Sequence, residues 1–367
     1  MAVGLPLKTT YADGDVYSAS DVNDTNGTIN ANVNPFVAGK NRVINGAMAI
    51  NQRNYSSSTT DGSYIVDRII GYGSGTTVTS SVQAFTSGAA PVAGYEAVNF
   101  CRLAVAGQSA TSAYGILTTR IEDARTFAGS TATISFWAKA NSGTPKIAVE
   151  WDTYLGPTGS TGVRTYAGQV TISTSWARYS VTVAIPSLTG KTVNAQNVTY
   201  AQLNLWVSAG SDYNSRTGSL GIQNSTFDIW GLQAEQGSTA TAFQTATGTI
   251  QGELAACQRY YIRYSASNTY SIFASSAYAI SSTFGAGTFT FPVEMRTTPS
   301  AIDSSTLAFS KFDNTHYALT SPVLDGPTLT TKNAYVYGSI SGATAGNTGY
   351  FGANNSTSAY IGFTAEL

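Results

Sequence analysis

From Gly39 onward the chain alternates apolar and polar residues in short runs. TATISFWAKA sets Ile134, Phe136 and Ala138 against Ser135, Trp137 and Lys139. KIAVEWDTY puts Ile147, Val149 and Trp151 on one side. SWARYSVTVAI aligns Tyr179, Val181, Val183 and Ile185, with Trp176, Arg178, Ser180 and Thr182 opposite. AQLNLWVSA turns Leu203, Leu205 and Val207 inward and Gln202, Asn204, Trp206 and Ser208 outward, and FDIWGLQAE ends the set. A period of two marks strands with one buried face, and clusters of Gly, Pro, Ser and Asn bound each run. The pattern predicts an antiparallel β-sandwich over residues 39–246, begun by Val43 and an Asn45-Gly46 turn. After Tyr264 the alternation resumes on a smaller scale in NTYSIFA, AGTFTFPVEM, NAYVYGSI and SAYIGFTAEL. These predict a small β-sandwich head over residues 266–367, with Pro292 at an edge or bulge and SGATAGNTG and GANNSTS as loops.

One stretch breaks the period. In TIQGELAACQRYYIRY the residues Ile250, Leu254, Cys257, Tyr261 and Tyr264 are spaced four, three, four and three apart. That is the a/d seam of a coiled coil, held for about two heptads. A helix this short is marginal in water without partners. Residues 247–265 are therefore expected to form a connecting helix that packs on the flanking domains or on copies of itself, as a trimer axis. In residues 1–38, Ser18 and Asp21 offer a cap, and Val22, Ile29 and Val33 space roughly as a seam. Asn23, Asn26, Asn30, Asn32 and Asn34 make a poor helix, and Pro35 ends it. This arm is either loose or a stalk that orders on docking or trimerising.

Composition narrows the function. Charged residues make up 11% of the chain and the formal net charge is −1. Such neutrality leaves no electrostatic footprint for nucleic acid or anionic membrane, and no apolar run approaches membrane-spanning length. With 36 Gly and 22 Tyr the chain has the make-up of a turn-rich all-β protein. Cys101 and Cys257 stand too far apart in sequence for a disulfide scaffold and read as buried thiols, formed in a reducing compartment. MAVGLPLKTTYADG lacks the blocks of a signal peptide, so a soluble protein outside the usual export route is expected.

Metal and nucleotide chemistry find little support. One histidine, His316 in an expected loop, and two distant cysteines cannot build a structural zinc site or, without an elbow motif, a serine triad. Gly190-Lys191-Thr192 lacks the P-loop glycine, since Ile185 stands in its place. Glycoside hydrolysis needs two carboxylates flanking a bond. Glu150 and Asp152 share a strand face, Glu122 and Asp123 are adjacent, and Asp228 and Glu235 lie near the end of the sandwich. Surface or hydrogen-bonding carboxylates are the simpler reading of all three pairs.

Several segments look familiar. NRVINGAMAINQR followed by SYIVDRI resembles the start of phage tail-fibre receptor-binding regions. TISFWAKA and STSWARYSVTV resemble strands of carbohydrate-binding jelly-roll modules of the CBM4/9 type. FDIWGLQAEQGSTATAFQ, ELAACQRYY, FPVEMRTTPS and YIGFTAEL are similar to segments of phage tail proteins, and YADGDVYSASDVND to their attachment arm. The resemblance implies a homotrimeric virion fibre that binds host surface glycans. Asp228 resembles a position that binds structural calcium in jelly-roll modules, a single matched ligand and the only cofactor candidate.

Sugars present flat C–H faces that stack on aromatic rings, while Asn, Gln and charged groups bind their hydroxyls. Trp137, Trp176 and Trp206 have the polar parity of their strands, whereas Trp151 has the core parity. Trp206 with Gln202, Asn204 and Ser208 would present one stacking ring and three hydrogen-bonding neighbours. The alternative is that these tryptophans lie under loops or at a subunit contact. The resulting expectation is an all-β phage tail fibre of the virion tail, assembled in the host cytoplasm. Its partners would be two further copies of itself, other tail or baseplate proteins through residues 1–38, and a host surface glycan that it binds without cleaving. A purely structural fibre or adaptor and a glycan depolymerase are the rivals.

Overall fold

The computed structural model describes residues 39–93 and 95–367. The attachment arm expected at residues 1–38 lies outside them. The described chain is all-β apart from short helical turns and one nine-residue helix, and its first part is a sandwich of two six-stranded antiparallel sheets. The first sheet runs β1 (Ser57–Ser58), β4 (Val78–Ala84), β5 (Asn99–Val105), β12 (Thr226–Gln236), β7 (Thr131–Ala140), β10 (Ala177–Ala184). The second runs β2 (Ser63–Val66), β3 (Ile69–Gly73), β6 (Tyr114–Glu122), β11 (Tyr200–Ala209), β8 (Lys146–Tyr154), β9 (Arg164–Thr171).

The period-two faces meet between the sheets. Leu103, Ile134, Phe136, Phe227 and Ile229 of the first sheet oppose Leu117, Val149, Trp151, Leu203 and Leu205 of the second, all without solvent exposure. The outer side of the first sheet is also covered. Trp137 and Trp230, adjacent across β7 and β12, lie under Phe85, Tyr95 and Phe243 with ring centroids 4.8–6.0 Å apart. The Asn45-Gly46 turn seats the chain against β12. Asn45 takes a φ of 58°, and a side chain at Gly46 would place its Cβ 2.1 Å from the Leu232 carbonyl oxygen.

The connecting helix is shorter than its seam predicts. It spans Ile250–Gln258, started by Thr249, whose hydroxyl accepts the Gly252 N–H at 3.0 Å. The chain then becomes β13 (Tyr261–Ser265), so Tyr261 and Tyr264 are strand residues. The run YIRY alternates as a strand and pairs with β21 (Tyr360–Thr364), and that pairing overrides the a/d spacing. Ile250 and Leu254 are 54% and 37% exposed, while the buried side of the helix is Glu253 and Cys257. Glu253 accepts from the Asn45 N–H at 2.7 Å and from the Thr247 N–H and hydroxyl at 2.8 Å each. The helix is a peg into the sandwich within one chain, not a continuous five-residue seam.

The head closes into a barrel instead of a small sandwich. Its order is β14 (Ile272–Ala279), β15 (Phe284–Thr290), β19 (Asn333–Ser339), β18 (His316–Leu324), β17 (Leu307–Lys311), β20 (Thr348–Ala353). A three-stranded sheet, β13, β21 and β16 (Ala301–Ser305), sits beside it. Pro292 falls after β15 has ended, and His316 opens β18, stacked on Tyr270 at 4.2 Å.

Head and sandwich are clasped by charge. The Arg53 guanidinium lies between the rings of Tyr64 and Tyr261, 4.1 and 3.7 Å from their centroids, and reaches Glu366 at 3.1 Å. Arg68, fully desolvated, covers Tyr260 at 3.6 Å and pairs with Glu366. Glu122 accepts from Arg259 at 2.7 and 2.9 Å and from the Tyr260 hydroxyl at 2.9 Å. Asp67 beside this clasp is buried, which pushes its carboxyl up to about 6. Arg53 stands 3.7 Å away, too far to offset that burial.

Candidate functional site

β11 is the axis of the second sheet. Its inward residues fill the core, so Gln202, Asn204 and Trp206 project from the outer face. Antiparallel register sets their neighbours. One rung reads Ile116, Trp206, Ala148, the next Thr118, Asn204, Glu150, and the third Arg120, Gln202, Asp152, Arg164 across β6, β11, β8 and β9. A cleft of about 710 Å³ lies over these rungs. Tyr72, Tyr114, Tyr154, Tyr200 and Tyr213 line it, together with Asp61 and the polar side chains of the rungs.

The floor is a connected hydrogen-bond net. Arg120 donates to the Tyr72 hydroxyl and to Gln202 Oε1, each at 3.0 Å. Gln202 donates to Asn204 Oδ1 at 2.9 Å, and the Thr118 hydroxyl donates to the same oxygen at 2.7 Å. Asn204 in turn donates to Glu150 at 2.9 Å. The fully buried Glu150 also accepts the Trp206 indole N–H at 3.0 Å and Arg216 at 2.7 and 2.8 Å. Burial works to lower the Arg216 guanidinium, but the hydrogen-bonded Glu150 carboxylate more than offsets it, leaving it raised. Asp152 holds Arg164 at 3.1 Å, and burial still leaves its carboxyl raised. Asp61 accepts the Gly73 N–H at 2.9 Å and the Tyr114 hydroxyl at 3.1 Å.

The sequence-derived residues divide here. Gln202 and Asn204 do line the cleft. Trp206 faces it but is not an open platform. It is 1% exposed, covered by Tyr213 at 5.1 Å and by Arg216 at 4.7 Å, both from the segment leading into the short helix Asn214–Thr217 or from that helix. Trp137 belongs to the opposite sheet, and Trp176 immediately precedes that sheet's edge strand β10. Trp137 is buried under Phe243, and the half-buried Trp176 packs on Phe85 and Phe100 with Lys139 5.4 Å above its ring. A covered ring cannot stack on a sugar, so Trp137 and Trp206 are packing residues; Trp176 keeps partial exposure away from the cleft. Asp228 is instead the centre of an ion pair: Arg102 takes its carboxylate at 2.6 and 2.9 Å, and Lys139 stands at 3.7 Å, an environment that does not favour a bound cation. Among the described residues no group of three or more His, Cys, Asp or Glu could hold a metal.

The cleft tyrosines and Arg120, Arg164 and Arg216 were not singled out from the sequence. Arg120 and Thr118 carried a signal, since TTRIE alternates and places both on the polar parity of β6. Tyr154 and Tyr200 lie at strand ends, where parity alone cannot distinguish a lining residue from a solvated one.

No protein-family model matches the chain, and no curated protein matches it. Solved structures do. The chain is similar to the enzymatically active domain of bacteriophage CBA120 tailspike protein 4, at 16% identity and a TM-score of 0.31, over 54% of this chain and 21% of that chain. It is similar to the CBM22-2 xylan-binding domain of Paenibacillus barcinonensis Xyn10C, at 14% identity and a TM-score of 0.30, over 49% of this chain and 98% of that one. The third is a family 61 carbohydrate-binding module solved with β-1,4-galactotriose, at 11% identity and a TM-score of 0.27, over 54% of this chain and 99% of the module. The matched part spans about a fifth of the tailspike chain and nearly all of the two modules.

Proposed function

We propose that this protein is a phage tail fibre, a virion structural protein that attaches to its host by binding surface polysaccharide as a homotrimer. The observation that carries the glycan reading is the tyrosine-lined cleft of about 710 Å³ over a fixed net of Arg120, Gln202 and Asn204. Flat phenol faces for C–H surfaces and preset amide and guanidinium groups for hydroxyls are what a saccharide needs. Tyr154 and Tyr200, with rings 5.1 Å apart, form the more open aromatic pair. The virion role rests on the ordered resemblance of segments along the sequence.

Binding without cleavage is part of the reading. A glycosidase needs one carboxyl to donate a proton and a second to attack or activate water. Glu150 is closed off by its four bonds, and Asp152 is engaged by Arg164. The trimer reading is supported by Ile250 and Leu254, which stay exposed beside the junction. Light scattering should give three times 38.3 kDa, and Leu254→Asp should lower it.

The deciding experiment is binding of the purified protein to bacterial surface polysaccharides, with Tyr154→Ala and Tyr200→Ala beside wild type. Loss of a stacking ring should weaken binding by about 0.5–1.5 kcal/mol per site. Retention of no glycan at all would leave the purely structural fibre. Release of new reducing ends would establish the depolymerase instead.

A further inference from the structure

We propose that the cleft selects an acidic saccharide, with a sugar carboxylate held by Arg164; this deepens, and rests on, the glycan-binding reading above. The cleft is charged unevenly along its length. Its third rung carries Arg120 and Arg164 at the two ends, with Asp152 as the carboxylate between them. Beyond this rung stand Tyr154 and Tyr200, and Glu122, opposite Tyr200, is already bound by Arg259. The anion Asp61 lies at the other end, and Asp212 lies outside the main cleft, in a neighbouring hollow that Arg164 also borders. Asp61 accepts from Gly73 and Tyr114, and Asp212 from the Thr111 hydroxyl at 3.3 Å. From Gln202 to Trp206 is four residues of extended strand, so the two ends are separated by about 13 Å. Glu150, between them, is neutralised by Arg216.

Arg164 is mounted to receive an anion. Asp152 engages only its Nε, at 3.1 Å, while the other Asp152 oxygen takes the Thr153 N–H at 2.7 Å. Both terminal amino groups of Arg164 meet no protein acceptor among the described residues, and its side chain is 60% exposed. It lines the main cleft and also a neighbouring hollow of about 480 Å³ that holds Asp212 and the Arg216-bound Glu150, so the anion site is on the side of the main cleft. The open amino groups of a guanidinium suit the two oxygens of a carboxylate. Arg120 is spent on Gln202, on Tyr72 and on a main-chain oxygen of Leu367. The free donors of this rung are therefore the two terminal amino groups of Arg164. A sugar carboxylate satisfies both of those amino groups; a neutral sugar offers them hydroxyls without charge. The adjoining sugar ring would lie on Tyr154 and Tyr200.

The test uses the full chain in affinity electrophoresis against alginate, polygalacturonate and hyaluronate, each native and with its carboxylates chemically reduced to alcohols. Neutral dextran and xylan run alongside. The expected result is retardation by at least one native acidic polymer. Carboxyl reduction or Arg164→Gln should weaken it about tenfold, the size of one charge-assisted contact. Added salt should weaken it further. Arg164→Gln should leave the melting temperature unchanged, because the side chain is mostly solvated. Equal retardation by reduced or neutral polymers, unmoved by Arg164→Gln, overturns the inference and leaves the glycan reading standing. No retardation by any polymer removes both.

Discussion

Replacing Glu150 by Gln probes the polar floor directly. The carboxylate accepts four hydrogen bonds with no solvent exposure. A glutamine amide keeps one acceptor oxygen and turns an N–H₂ group toward a donor that needs an acceptor. Asn204, Trp206 and one Arg216 amino group all donate to Oε2, so an amide oxygen placed there keeps those three bonds and sets its N–H₂ against the Arg216 Nε–H alone, while the charge partner of Arg216 is lost in either orientation. An unsatisfied buried polar group costs about 1–3 kcal/mol, and removing one member of a buried ion pair about 3–5 kcal/mol. Arg216 keeps 23% side-chain exposure, so water recovers part of the loss. About 3 kcal/mol is the expected cost, which for a domain of this size lowers Tm by about 6–12 °C. Calorimetry at neutral pH measures it, with indole fluorescence reporting the Trp206 surroundings. Adding Arg216→Gln should make the double variant less damaged than the sum of the two, because each change removes the other's unpaired group. A Glu150→Gln melt within about 2 °C of wild type, or strict additivity, would refute the reasoning.

Trp206→Ala should cost about 3–5 kcal/mol and lower the melt, since a covered ring leaves a cavity; a stable variant with lost glycan binding would restore the platform reading. Asp67 has its folded carboxyl raised to about 6 against an ordinary 3.8, so its contribution to stability is fully present below the lower value and lost as pH rises through the higher one. Asp67→Asn should remove that fall, worth at most about 3 kcal/mol, and the difference between wild-type and variant stability from pH 4 to pH 7 measures it. An unchanged difference across that range would show that Asp67 titrates normally. Tyr154→Ala, finally, should leave Tm within about 2 °C while weakening glycan binding, because that ring is 39% exposed. Melting and binding assays on the same preparation separate the two effects.

The strands of the sandwich were legible because each buries one face against a single core. The runs at 131–140 and 146–154 coincide with β7 and β8, and their inward residues are the ones parity chose. Parity fails where the outer face is also covered. Trp137 and Trp206 read as outward and are outward, yet Phe243 buries one and Tyr213 the other. Such covers come from irregular segments with no period, brought in by long-range packing. The end of the helix is ambiguous in sequence for a related reason. RYYIRY satisfies both a heptad seam and a strand, and only its partner β21, about a hundred residues on, decides between them. Gln202 and Asn204 were legible because they share the outward parity of Trp206 on one strand. The tyrosines were missed because they converge from five separate segments.

The clasp between head and sandwich has a consequence for the order of assembly during synthesis. Every strand of the sandwich has been made once Gln236 leaves the ribosome, and the Glu253 peg follows soon after. The head is different. β21 is the middle strand of its three-stranded sheet, so β13 and β16 have no shared neighbour until residue 364 is made. Arg53 waits longer still, for a Glu366 that lies 313 positions away. In that interval the two arginines, with the rings of Tyr260 and Tyr261 beside them, stand on a finished sandwich without the Glu366 carboxylate that pairs with both. Contacts this distant in sequence form slowly, and partly covered aromatic surfaces are where neighbouring nascent chains stick to one another. In a refolding time course, the sandwich signal from its five tryptophans should therefore recover before head protection.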